Sequence, residues 1–170
     1  TGLGLGLVAV RRGEFDSARR RLLHGWLEAR RLRMPREQAL ALEFLGEALI
    51  LVGRVNTARR VLALCRRTAE RLAPGGDLIA ECGIREALLA LVAGDPGQAW
   101  MTADAARACA VETGLPWEES QALRLGAIAL SRLGRRAEAR EALLAARSRL
   151  QAMNEQLEIR LVDRWLGFLD

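Results

Sequence analysis

Apart from carboxylates, this chain holds few of the side chains that commonly carry acid–base chemistry. His24 is the single histidine, all 26 basic residues are arginines, and there is no tyrosine. Schiff-base catalysis, a phosphate-loop lysine and a phenolic general acid are therefore excluded. A serine–histidine triad or a pair of histidine metal ligands would have to be built around His24 alone. The composition predicts a protein that is not an enzyme and that holds neither a metal ion nor a cofactor.

Three cysteines, Cys65, Cys82 and Cys109, are the remaining reactive groups. Their number is odd and no CxxC pair occurs, so the spacing indicates neither a disulfide framework nor a zinc site. We expect reduced thiols that serve as small core side chains in a cytoplasmic protein. No membrane span is expected, because no uninterrupted apolar run approaches the roughly 20 residues that cross a bilayer.

The net charge of +5 is concentrated at the start of the chain. Residues 1–36 hold nine arginines against three acidic residues, a balance of +6, and the remainder holds 17 arginines against 18 acids, or −1. The arginine runs at 19–21 and 30–33 could contact phosphates, but they are spread around a helix, and only Trp26 is interleaved as a stacking partner. Nucleic-acid binding is therefore disfavoured, and a solvated or intersubunit face is favoured for this segment.

Small residues recur with a fixed spacing along the whole chain. A small residue, a glycine seven positions later and an alanine five positions after that occur four times, with the central glycines 40, 41 and 40 positions apart. The four sets are Gly6, Gly13 and Ala18; Gly46, Gly53 and Ala58; Ala87, Gly94 and Ala99; and Ala127, Gly134 and Ala139. A fifth copy of the first position falls on Gly167. This register predicts repeated supersecondary units.

Each unit is predicted to be a helix, a tight turn and a second helix. Apolar residues recur three and four positions apart before each central glycine, as in Leu42, Leu45 and Leu49, which is the pattern of one buried helical stripe. The glycine closes the first helix through a left-handed cap, and Asn56 and Asp95 are expected to cap helices that follow. The predicted helices are 3–12, 16–33, 36–52, 57–73, 77–93, 97–113, 117–133, 136–153 and 155–169.

Such pairs are expected to stack into an all-α fold, a right-handed α-solenoid of antiparallel helix pairs with about nine helices. The chain divides into four units, 1–35, 36–76, 77–116 and 117–154, followed by a truncated first helix of a fifth unit at 155–170. Gly6 and Gly167 occupy equivalent positions, so the chain begins and ends inside incomplete pairs. We therefore expect a fragment of a larger multidomain protein.

The register of a small residue, a glycine and an alanine, with large apolar residues between them, resembles the tetratricopeptide repeat (TPR), and the resemblance covers essentially the whole chain. The period is about 40 residues in place of the usual 34 or so, and leucine or alanine replaces the aromatic residues common in the first helix. Long-period arrays of this kind resemble the repeat regions of large bacterial transcriptional and signalling regulators of the maltose-activator-like type. The resemblance implies a non-catalytic protein-interaction or scaffold module. The alternative is a small-ligand or peptide sensor that controls a linked effector domain.

In such an array the first helices of successive units line a concave groove. The register assigns ten candidate binding residues to this groove: Glu43, Glu47, Ile50, Glu81, Ile84, Arg85, Leu88, Arg124, Ile128 and Arg132. Acidic residues at one end, arginines at the other and aliphatic residues between would suit a peptide of complementary charge. The alternative is an ordinary solvated helix face. The expected partner is a protein or peptide segment, with self-association through the apolar ends of the array as a further option.

Overall fold

A computed structural model describes residues 2–169, which form nine α-helices joined by short turns. The helices are α1 (Gly2–Arg11), α2 (Phe15–Arg31), α3 (Pro35–Leu51), α4 (Val55–Leu72), α5 (Asp77–Val92), α6 (Pro96–Thr113), α7 (Pro116–Arg132), α8 (Arg136–Ala152) and α9 (Gln156–Leu169). Each boundary lies within two residues of its expected position. The predicted all-α architecture is confirmed for this part of the chain.

The central glycine of each repeat follows a first helix in the left-handed region. Its φ angle is 72° at Gly13, 74° at Gly53, 82° at Gly94 and 78° at Gly134. The backbone amide of Gly94 donates to the carbonyl oxygen of Leu91 and so satisfies one of the free acceptors at the end of α5. A Cβ would be strained in this conformation, so the glycine spacing in the sequence reflects a repeated backbone requirement.

Capping explains where some of the second helices begin. Asp95 accepts a hydrogen bond from the backbone amide of Gln98 at 2.9 Å and caps α6, as predicted. The cap predicted at Asn56 is wrong, because α4 begins at Val55 and Arg54 occupies the position before it. Asn56 therefore lies inside the first turn of α4.

The helices form two layers. The first helices of the pairs, α1, α3, α5, α7 and α9, each pack against the next one in the series and make an inner layer. The second helices, α2, α4, α6 and α8, pack against the first helices before and after them, and no two of them pack together within residues 2–169. Because the inner helices are adjacent and the outer helices are separated, the array is concave on its inner side. The fold is therefore an α-solenoid of antiparallel helix pairs, and its right-handed sense stays a prediction.

Small residues of the repeat lie where the two helices of a pair make contact. An ideal Cβ on Gly6 would lie 2.7 Å from Cγ of Leu22, and one on Gly46 would lie 2.8 Å from Cγ of Leu62. Leu22 and Leu62 are both fully buried, so neither can move aside without opening the core. The small residues thus set the distance between α1 and α2 and between α3 and α4.

Both ends of the array expose apolar side chains. Leu5 and Val8 of α1, with Leu157 and Phe168 of α9, are each between 46% and 70% exposed. Gly167 occupies the fifth register position, where no atom lies within 4 Å of an ideal Cβ. Self-association through these surfaces stays a prediction. No helix within residues 2–169 is long and apolar enough to cross a membrane.

Candidate functional site

A pocket of about 210 Å³ opens on the concave side of the array. Its lining residues come from the inner helices α1, α3, α5 and α7, and they are Leu7, Arg11, Glu43, Phe44, Glu81, Ile84, Arg85, Trp117, Glu118 and Gln121. Each of the four helices contributes at least two of them. Residues such as Leu7 and Arg11, or Glu81 and Arg85, are four positions apart and so share one face of a helix. The pocket is therefore formed by the inner layer as a whole.

Four of the ten residues that the register assigned to the groove line this pocket. They are Glu43, Glu81, Ile84 and Arg85. Glu43 and Ile84 are only 2% and 4% exposed, so little of either side chain reaches solvent. The structure brings the four side chains together, and their binding of a partner stays a prediction.

Three of the assigned residues lie in the hydrophobic core. Ile50 and Ile128 are 2% and 7% exposed, and Leu88 packs against the buried clusters around them. Neighbouring inner helices cover Ile50 and Ile128, which removes them from the groove surface, whereas Leu88 is only partly buried. Arg132 is exposed and lines a separate pocket of about 290 Å³ between α7 and α9, and its Nη1 also donates to the carbonyl oxygen of Leu91 at 2.7 Å.

A network of ion pairs joins α1, α3 and α5 at the pocket. Arg85 Nη2 lies 3.0 Å from Oε1 of Glu43 and 3.2 Å from Oε2 of Glu47. Arg11 Nη1 donates to the other oxygen of Glu47, Oε1, at 3.1 Å. Glu43 and Glu47 are almost completely buried, whereas most of the Arg11 side chain is exposed. Arg85 is therefore the buried cation that holds two carboxylates of α3 against α5.

A second polar network joins α7 to α9. Arg124 Nη2 donates to Oε1 of Gln121 at 2.6 Å, and Gln121 Nε2 donates to Oε2 of Glu158 at 3.1 Å. Arg124 Nε lies 3.9 Å from the same Glu158 oxygen. Burial lowers the pKa of Arg124, and the positive charge of Arg85 acts in the same direction. Arg124, which the register assigned to the groove, is thus committed to contacts within the fold.

The two networks do not connect where α3, α5 and α7 meet, and the carboxyl groups of Glu43, Glu81 and Glu118 interact there. Burial raises the pKa of Glu81 to about 8, and the neighbouring charges of Glu43 and Glu118 contribute to the increase. Burial also raises the pKa of Glu43, although Arg85 opposes that shift. Atom Oε2 of Glu43 and atom Oε2 of Glu81 are both buried without a hydrogen-bond donor. A proton on Glu81 would let its carboxyl group donate to Glu43 and so provide the hydrogen bond that the two buried Oε2 atoms otherwise lack.

Sequence reasoning missed part of the pocket wall. Phe44, Trp117, Glu118 and Gln121 line the pocket, and none of them was among the ten candidates. Glu118, Gln121 and Arg124 follow one another at intervals of three, so extending the face of Arg124 towards the start of α7 would have identified two of them. Trp117 lies four positions before Gln121 and seven before Arg124, and Phe44 lies three before Glu47, so the same spacing includes them.

The histidine and the cysteines lie away from this pocket. His24 is exposed on α2, with Nδ1 3.5 Å from Oε2 of Glu28. Cys65 and Cys82 are fully buried, as predicted for core thiols, and their Sγ atoms are 2.8 Å apart. The hydrogen bond with Cys82, together with burial, raises the pKa of the Cys65 thiol. Across residues 2–169 no group of three or more His, Cys, Asp or Glu side chains is arranged to hold a metal ion.

The arginine runs of the first unit point into solvent. The arginines within 19–21 and 30–33 are all exposed. Arg30 lies over the ring of Trp26, with 5.7 Å between its guanidinium carbon and the ring centroid. Trp26 is the single aromatic residue between the two arginine runs, and its ring already contacts Arg30. That nucleic acid does not bind here stays a prediction.

Comparison with known proteins identifies the fold and no family. No protein-family model matches the sequence, and no curated protein sequence matches it. Among solved structures, the crystal structure of BtubC (BKLC) from P. vanneervenii is similar, with a TM-score of 0.77 and 18% sequence identity. The similarity covers 91% of this chain, which spans 65% of the length of that protein. At this identity the similarity establishes a shared fold alone.

Proposed function

We propose that this chain is a non-catalytic protein-interaction module that docks a segment of a partner protein in the pocket on its concave face. The observation that carries the proposal lies where α3 meets α5, because the buried Oε2 atoms of Glu43 and Glu81 receive no hydrogen bond from an arginine or a backbone amide beside the pocket. Buried polar atoms without partners are rare in folded proteins and are costly to leave unmatched. A partner that supplies the missing donor therefore gains binding energy from this position.

The inner layer favours an extended segment as the bound form. A segment that crosses the pocket contacts four successive helices, so each stretch of it meets a different set of side chains. Leu7, Phe44 and Trp117 are partly exposed and supply apolar contacts. Aromatic side chains in partly enclosed positions are common anchors of protein interfaces.

The lining groups favour binding over catalysis. Carboxylates, guanidinium groups, one amide and apolar side chains make up the described lining, which includes no serine, threonine, cysteine or histidine. A nucleophile with an imidazole base is therefore not at hand in this pocket.

The proposal extends to the setting of the module. The repeat register and the glycines with positive φ angles that end four first helices support a TPR-like array of long period. By the resemblance to bacterial regulators, we place the array in a multidomain cytoplasmic transcriptional or signalling regulator. In that setting the array docks a partner, and a linked effector domain carries out the regulatory activity.

A small-ligand sensor is the second candidate, and the small size of the pocket favours it. Glu47 and Arg85 converge at 3.2 Å, as a sensor with convergent polar groups would require. They pair with each other, however, and Arg85 also binds Glu43. The volume of about 210 Å³ suits a small metabolite or one side chain of a longer ligand.

Selection from a random peptide library tests the docking proposal. We expect the chain to select peptides, and we expect Glu118→Arg to weaken their binding by about tenfold or more, because it reverses a charge in the pocket wall. Glu112→Arg is the matched control, since Glu112 is an exposed glutamate on α6 that does not line the pocket. Affinities measured by fluorescence anisotropy compare the two variants.

Arg85 and Arg124 are unsuitable for this test because both are buried in contacts within the fold. Their loss would disturb the structure and the binding together. The proposal is contradicted if no peptide is selected, or if selected peptides bind the Glu118→Arg and Glu112→Arg variants equally well.

A further inference from the structure

The carboxylates at the pocket outnumber the guanidinium groups that neutralise them. Arg85 bridges Glu43 and Glu47, and Arg11 pairs with Glu47. Glu81 forms no ion pair with any of the residues that the structure describes, and its buried Oε2 has no donor. Two guanidinium groups thus face three carboxyl groups, and Glu81 is the one with which neither arginine forms an ion pair.

The surroundings of Glu81 place this deficit at the pocket. Glu81 interacts electrostatically with four charged groups: Glu43 and Arg36 from α3, Asp77 from α5 itself and Glu118 from α7. Arg36 is already paired with Asp77, so it does not neutralise Glu81. On the sides of α5 that face α4 and α6, Arg66 of α4 pairs with Glu86, and the thiol of Cys109 lies at the turn before α5. Among residues 2–169, Arg36 acts on Glu81 from a distance, and no cation forms an ion pair with Glu81.

We propose that a cationic side chain of the docked segment, an arginine or a lysine, inserts between Glu43 and Glu81 and pairs with both carboxyl groups. This inference rests on the proposed function and names the chemical group that its pocket recognises. In the free protein, the carboxyl group of Glu81 donates to Glu43. In the complex, Glu81 is a carboxylate that accepts from the bound cation, and its proton has passed to solvent.

The pocket wall suits such a side chain. Its volume of about 210 Å³ holds one long side chain, and Phe44 and Trp117 provide aromatic surface beside the carboxylates. Aromatic faces attract guanidinium and ammonium groups, as the contact between Arg135 and Trp100 elsewhere in the chain illustrates at 4.8 Å. The carboxylates provide charge-assisted hydrogen bonds, and the aromatic rings contact the apolar stem.

The most direct probe is N-acetyl-arginine amide, which carries one guanidinium and no other titrating group. We would add it to the isotopically labelled protein up to about 50 mM, because a single ion-paired side chain binds with a Kd on the order of millimolar. The carboxyl carbon of Glu81 and the indole amide of Trp117 report binding by NMR. We expect saturating shifts at both. The matched ligand, N-acetyl-citrulline amide, has nearly the same shape without the charge, and we expect no saturation with it.

Proton displacement gives a second readout. The pKa of Glu81 is about 8, so its carboxylate is a minor species at pH 7 and the major one at pH 9. The apparent Kd of the arginine probe should therefore fall about tenfold between pH 7 and pH 9. In the Glu81→Gln variant, where an amide replaces the protonated carboxyl group, this pH dependence should disappear and binding at pH 9 should weaken by at least about tenfold. Glu112→Gln should leave the pH dependence and the affinity at pH 9 unchanged.

Each outcome decides the proposal. Equal shifts with the arginine and citrulline probes, or no saturation with either, would overturn it, as would an unchanged pH dependence in Glu81→Gln. The spectrum of that variant without ligand shows whether it is folded. If the arginine probe binds but no library peptide docks on the concave face, the cation site stands and the docking function fails. If peptides dock on the concave face without a basic residue, the docking function stands and the cation site fails.

Discussion

At the residue scale, Arg85 is the side chain on which the inner layer depends most. It is the buried partner of two carboxylates on the neighbouring helix, Glu43 and Glu47. Removing one member of a buried ion pair leaves uncompensated charge in a poorly solvated site, which costs much more than the loss of a surface pair. The same network ends at Arg11, whose side chain is 61% exposed.

This contrast gives a stability prediction. Arg85→Met should lower the free energy of unfolding by about 3–5 kcal/mol, because Glu43 and Glu47 lose their buried cation. Arg11→Met should lower it by less than about 1 kcal/mol, because Arg11 is well solvated and Glu47 keeps Arg85. Urea unfolding followed by circular dichroism measures both. Equal effects from the two substitutions would show that Arg85 does not hold α3 against α5 through these pairs.

At the element scale, the repeat register controls how closely paired helices approach. Gly46 of α3 faces Leu62 of α4, which is fully buried, whereas Gly167 of α9 faces open space. The two glycines occupy equivalent positions of the register, so the same substitution at each separates the effect of packing from that of helix propensity.

Gly46→Ala should destabilise the chain by about 1–3 kcal/mol, because the new methyl group overlaps Leu62 and the core must shift. Gly167→Ala should leave stability unchanged or raise it by up to about 1 kcal/mol, since alanine favours the helix and meets no neighbour. Thermal and urea unfolding of the two variants provide the measurement. A stabilised Gly46→Ala variant would contradict the assigned role of the small residue.

Much of the fold could be predicted from the sequence because its determinants are local. Gly53 and Gly94 mark turns through their left-handed backbone, and Asp95 marks a helix start through a side-chain cap. The start of α4 shows the limit of this reasoning. Arg54, and not Asn56, occupies the position before the helix, and no side chain caps it.

The candidate site could be predicted only in part because it depends on distances between helices. Periodicity placed Ile50 and Glu43 on the same inner layer, yet Ile50 is covered by the core and Glu43 faces a pocket. The spacing of neighbouring inner helices decides between these outcomes, and a single sequence does not contain it. The lack of an ion pair at Glu81 within residues 2–169 became apparent only when side chains from three helices were placed together.

At the scale of the whole molecule, the separation of the outer helices creates other surfaces on which a partner could dock. Furrows of about 310 Å³ and 240 Å³ lie between α4 and α6 and between α6 and α8. Met101 on α6 and the apolar residues at both ends of the array are also exposed. The inner pocket differs from these surfaces because it combines buried acceptors that lack donors with partly exposed aromatic side chains.

A crystal structure of the chain bound to a library-selected peptide tests the central claim most directly. The account predicts that the peptide crosses α1, α3, α5 and α7, with the cation of one arginine or lysine within about 3 Å of the Glu81 carboxylate. A peptide seated in the furrows between the outer helices, or on the exposed ends of the array, would contradict the claim that the concave face is the docking surface.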